Sequence, residues 1–132
     1  MDVRTALAES DPSNAGWQRD LSVSHNKVGD VRLAQGDLAG ALAAFQASMD
    51  VRKALAASDP SNAEWKRDLS FSFNRLAEIC EQRGERALAM EHAENSLFIV
   101  ERLAALDRAN ATWQNDVEVS RAMVARLKAA GG

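Results

Sequence analysis

The chain is expected to fold as an all-α solenoid built from antiparallel helix pairs. Three observations point there: a 48-residue internal repeat, helix-starting and helix-stopping residues at matching places in each copy, and apolar residues recurring at threes and fours. Trp17, Trp65 and Trp113 lie 48 residues apart, inside W-Q-R-D-L-S-V-S, W-K-R-D-L-S-F-S and W-Q-N-D-V-E-V-S. Asp20, Asp68 and Asp116 keep the same step, as do Ser24, Ser72 and Ser120. A second block, A-L-A-E-S-D-P-S-N-A from Ala6, returns as A-L-A-A-S-D-P-S-N-A from Ala54 and decays to R-L-A-A-L-D-R-A-N-A from Arg102. Gly36 and Gly84 obey the ruler too, and the next step is Gly132.

Each element follows from its residues. The first helix of a unit is expected from Ala15 to Gln35, with Trp17, Leu21, Ser24, Val28 and Val31 at helical spacing. Asn14, Asn62 and Asn110 precede the three copies, placed to accept from free N–H groups. Asp20 and its copies lie near the first turns, where a carboxylate suits the positive end of the helix dipole. Gly36-Asp37 and Gly84-Glu85 stop the first helix, because glycine enters the left-handed region without a Cβ penalty. The second helix is expected from Leu38 to Ser58, before Asp59-Pro60 ends it, with Leu38, Ala41, Leu42, Phe45, Met49 and Leu55 on its apolar side. The frame gives one domain over 1–132: a half repeat (1–14), two full repeats (15–62 and 63–110) and a closing half repeat (111–132).

Composition narrows the function classes. Sixteen basic against nineteen acidic residues leave a net charge of −3, which argues against phosphate-neutralising nucleic-acid binding. A single cysteine excludes an intramolecular disulfide and fits a reducing compartment. The N-terminal residues have no apolar signal-peptide core, and the longest apolar run, near Leu97 to Val100, is far too short for a bilayer. A cytoplasmic protein without membrane contact is the expectation.

The segment from Gly36 to Phe45, ending near Asp59-Pro60-Ser61-Asn62, resembles the tetratricopeptide repeat (TPR). Gly29 and Ala77 on the first helices, and Ala41 and Ala89 on the second, match the small residues that let the family's helices approach. Val28 and Leu76 match its apolar first-helix position. The likeness covers nearly the whole chain in a long variant of 48 residues against the family's 34, similar to repeats that serve as interaction arms in bacterial multidomain proteins. Departures are His25 and Arg32 at large-aromatic positions, and Arg86, Ala93 and Arg108 where the first repeat has Leu38, Phe45 and Pro60. The resemblance implies a right-handed superhelix whose first helices line a concave surface that receives peptides. By position that stripe is Arg19, Val23, Asn26, Lys27, Asp30 and Leu33, then Arg67, Phe71, Asn74, Arg75, Glu78 and Glu81. An asparagine amide there would bind peptide backbone through both donor and acceptor, and a neighbouring cation would take a carboxylate. The alternative is that these residues are solvated and recur only because the units were duplicated.

Catalytic chemistry is not expected. Cys80, with His92 and Glu91 or Glu94 as helpers, is the sole nucleophile candidate, yet it falls at a core position beside acidic residues that would raise its pKa. His25 and His92 lie on different repeats without metal-ligand spacing, and no phosphate-cradling glycine loop exists. No cofactor or metal is therefore expected. The repeated tryptophans are assigned to packing between a first helix and the preceding second helix rather than to a ligand shelf. The expected function is non-enzymatic: peptide or partner-helix binding in the groove. The alternative is self-assembly, including a homo-oligomer, through end helices left without neighbours, with Val117, Val119, Val124 and Leu127 of the last helix uncovered.

Overall fold

A computed structural model describes residues 14–131. Those residues form five helices and no strand: α1 (Ala15–Ala34), α2 (Leu38–Ser58), α3 (Ala63–Gln82), α4 (Arg86–Leu106) and α5 (Ala111–Gly131). The expected bounds of the first two helices agree to within one residue. The expected N-terminal half repeat and Gly132 lie outside the described residues.

The start and stop signals work as their chemistry requires. Asn14, Asn62 and Asn110 each accept, through Oδ1, the backbone N–H of the tryptophan three residues on, all at 3.0 Å. Gly36 and Gly84 both sit at φ +79°, in the left-handed region. Their helices close in the same way, with Asp37 N donating to Arg32 O at 2.9 Å and Glu85 N donating to Cys80 O at 2.8 Å. Asp37 then caps α2, its Oδ1 accepting from Gly40 N at 2.8 Å; Glu85 makes no such bond to α4.

The chain packs as two compact units, Met1–Trp65 and Lys66–Gly132, so the division falls in the first turn of α3, three residues after the repeat boundary read from sequence. In the first unit α1 lies against α2, burying Ser22 and Gly29 against the α2 face that carries Ala41, Phe45, Ser48, Met49 and Arg52. The approach is close: a Cβ on Gly29 would stand 2.7 Å from the Phe45 ring. In the second unit one core joins Ala77 and Cys80 of α3, Ala89 and Ala93 of α4, and Val124 and Leu127 of α5. A second core gathers Val100, Ala104 and Val117, with Trp113 packed on it. That contact supports the packing role read for Trp113.

The same cores correct one expectation. Val117, Val124 and Leu127 are buried, and only Val119 of the four named residues remains exposed. Val117, Val124 and Leu127 of α5 share cores with α4 residues, so α5 already has its partner there. The side of α5 that would meet a following helix carries Glu118, Arg121, Ala125 and Lys128, all exposed. The equivalent α3 residues, Ser70, Phe73, Ala77 and Cys80, are all buried. The last helix thus presents a solvated face where an apolar one was anticipated.

Candidate functional site

The second unit assembles the better-defined surface. Two ion pairs tie α3 to α5. Near one end, Arg67 forks onto Asp116, with Nε to Oδ2 at 2.6 Å and Nη2 to Oδ1 at 3.2 Å. That hydrogen bond, more than any other influence, holds the Arg67 guanidinium above its ordinary pKa. Near the other end, Arg126 Nη1 contacts Glu81 at 2.5 Å, which likewise raises its pKa. Fourteen residues separate Arg67 from Glu81, so about 21 Å of α3 runs between the pairs.

Phe71 and Val119, at equivalent register positions on α3 and α5, are 36% and 51% exposed. The Arg67 guanidinium lies 4.6 Å from the Phe71 ring centroid, so one cation both bridges the helices and stacks on the exposed aromatic. Arg75 and Glu78, a turn further along, face each other at 3.4 Å and are both partly exposed. The surface therefore offers an exposed aromatic ring, an exposed valine at the equivalent position of α5, and the partly exposed Arg75–Glu78 pair.

In the first unit, Lys27 and Asp30 are exposed on α1, and Arg19 pairs with Glu64 at 2.9 Å. The asparagines depart from the sequence reading. In the orientation that satisfies both ends of its amide, Asn26 donates to Ser48 Oγ at 2.9 Å and accepts from Arg52 Nη1 and Nη2 at 3.1 and 3.0 Å. Arg52 Nε donates to Ser22 Oγ at 3.1 Å, and Ser48 Oγ donates to Ser22 O at 2.9 Å. Asn26 is thus built into a buried polar network between α1 and α2, not offered to a peptide backbone. Asn74 also has a buried Oδ1, here without a hydrogen-bond partner. The positions that serve Asn26 explain this. Arg52 becomes Val100, and Ser96 meets Ser120 Oγ at 3.2 Å. An asparagine on a helix can point either way, and no residue on its own helix announces the buried Arg52.

Other candidates fall into place. Cys80 is a core thiol whose pKa is raised by burial first and by Glu85 second, with Arg83 opposing; neither condition makes a nucleophile. His92 lies beside Phe73, ring centroids 5.9 Å apart. A cleft of about 300 Å3 near the junction of α4 and α5 is lined by Glu101, Arg108, Gln114, Glu118 and Arg121; within it Arg121 meets Glu101 at 3.2 Å, and Gln114 Nε2 donates to Ala104 O at 3.1 Å. Among the described residues no cluster of three or more potential metal ligands occurs, and no helix is long and apolar enough to cross a membrane.

The class these features define is an all-helical protein with a repeated helix-pair unit. No family model matches the chain, and no curated protein is significantly similar to it.

Proposed function

We propose that the chain is a non-enzymatic interaction module, a TPR-like right-handed array that binds a peptide or partner helix along its first helices. The observation that carries this reading is Phe71, exposed on α3 and held under a guanidinium that is itself fixed by Asp116. Large exposed aromatics with a pre-organised cation are costly to leave in water and are typical anchors for a partner. Arg67, Phe71, Arg75 and Glu78 are the principal contacts; Arg19, Lys27 and Asp30 are the first unit's contribution. Asn26 acts instead inside the first helix pair, through Ser48 and Arg52.

The test separates anchoring from folding. A partner captured by the native chain is isolated, and its affinity is measured for native, Phe71→Ala and Arg75→Glu chains. Both positions are solvated enough that helicity should not change. Loss of about tenfold or more in affinity with Phe71→Ala is expected, since an anchoring aromatic is worth 2 kcal/mol or more. Affinity indifferent to both substitutions removes this surface from the function.

A further inference from the structure

The side of α4 turned away from the core carries a pattern that its packing within the second unit does not require. Ala89, Ala93, Ser96, Val100 and Leu103 bury one side of the helix. On the opposite side Leu88, Glu91, Asn95, Phe98, Arg102 and Ala105 follow one another at alternating steps of three and four, and all six are exposed. Such spacing draws residues into a single seam of the kind that pairs helices. Phe98 is 61% exposed, and Leu106, at the border of the seam, is 76% exposed; these are the two most exposed large apolar side chains among the described residues. The Arg102 guanidinium lies 5.4 Å from the Phe98 ring centroid. One repeat earlier the same six positions are Gly40, Ala43, Ala47, Asp50, Ala54 and Ala57, with neither a large apolar residue nor a cation. A helix pair of this kind therefore forms without the seam.

We propose that this face of α4 pairs with the same face of a second copy of the chain, antiparallel, about a two-fold axis at the level of Ser96 and Leu97. The charges choose both the occupant and the direction. In that arrangement Glu91 stands opposite the second copy's Arg102, Asn95 opposite its Phe98 and Leu88 opposite its Ala105, and the symmetry makes each pairing twice. The one anion and the one cation of the seam thus meet each other. A parallel pairing in register would set Glu91 against Glu91 and Arg102 against Arg102, like charges that are costly in a desolvated seam. The edge that carries Glu94 and Glu101 stays in water: both are exposed, and Arg121 holds Glu101 at 3.2 Å. Leu106 widens the seam on the other edge. A single helix pair about 27 Å long buries less area than a permanent dimer needs, so the association is reversible. This surface is separate from the α3–α5 one and does not depend on that reading.

The experiment measures the molar mass of the whole chain by analytical ultracentrifugation over a dilution series. The samples are the native chain, Glu91→Arg, Arg102→Glu, the double variant Glu91→Arg/Arg102→Glu, and an equimolar mixture of the two single variants. The native chain is expected to pass from monomer to dimer as concentration rises. Each single variant sets like charges opposite each other at two places and is expected to raise the dissociation constant at least tenfold. The double variant and the mixture restore opposite charges and are expected to regain the dimer. Both positions are exposed, so helicity by circular dichroism should not change. A native chain that stays monomeric up to millimolar concentration overturns the proposal. So does a dimer indifferent to the single variants, which would place the interface on another face. Loss of the dimer that neither the double variant nor the mixture reverses would overturn it as well, because the antiparallel register requires that rescue.

Discussion

The two units carry the same spacing, yet they solve their interiors with different residues. The first places His25 and Gly29 on α1 opposite Ala44 and Phe45 on α2; the second places Phe73 and Ala77 on α3 and His92 and Ala93 on α4. The phenylalanine has moved from the second helix to the first, and the histidine has moved the other way. Packing density is thereby kept while the identity at each position changes. The polar interior diverges further. The first unit buries Arg52 within a network that includes Ser22, Asn26 and Ser48, whereas the second has Val100 in a dry core and an asparagine oxygen left over. Duplication preserves helix ends and register, and each interior then adjusts locally, because buried volume and hydrogen-bond balance are shared between neighbours rather than fixed residue by residue.

Several substitutions would break or sharpen this contrast. The largest effect is expected for Phe45→Ala, about 3–5 kcal/mol by urea unfolding, because it empties the centre of the first unit. Gly29→Ala alone should cost about 1–3 kcal/mol through its clash with that ring. Added to Phe45→Ala it should cost almost nothing, since the pair then reproduces Ala77 and Ala93; additive costs would show that the two units are not interchangeable solutions.

Next comes the asparagine pair. Asn26→Ala removes the acceptor of two buried guanidinium N–H groups and should destabilise by about 2–3 kcal/mol. Asn74→Ala deletes an unsatisfied oxygen and should be neutral or mildly stabilising. Equal losses at the two sites would contradict the network described for the first unit. Where the units agree, effects should agree as well: Gly36→Ala and Gly84→Ala should each cost about 1 kcal/mol, matched within error, because both residues hold the same left-handed conformation.

The smallest effect is a pH effect. Burial raises the Cys80 pKa in the folded chain, so the fold favours the protonated thiol. The corresponding stability is fully present below the unfolded-state pKa and is lost as pH rises through the folded value, so the loss falls at alkaline pH. Alkylation of Cys80 at neutral pH should accordingly be slow in the native chain and fast in urea. Rapid native labelling would show that the α3–α4–α5 core opens readily.

The helix bounds, caps and stops, and the repeat register, were legible in the residues because each depends on contacts within a few positions: an Asn Oδ1 three residues from its N–H, or a glycine at one φ. The candidate surface was legible in part. Arg67, Phe71, Arg75 and Glu78 could be placed on one helical stripe from spacing alone, whereas the bond from Arg67 to Asp116 spans 49 residues and has no local signature. Asn26 and Asn74 could not be assigned, since both look alike in sequence and differ only in whether residue 52 or 100 offers a guanidinium.

The amino-acid sequence by itself determined an all-helical chain with a 48-residue unit and the places where each helix begins and ends. Only the tertiary structure decided which face of which helix stays open: α5 proved covered and solvated where an apolar end was expected, and α4 kept Phe98 and Leu106 in water. The physical reason is that helix ends are set by local backbone chemistry, while exposure is set by whichever neighbour is present, and identical residues in register meet different neighbours along the chain.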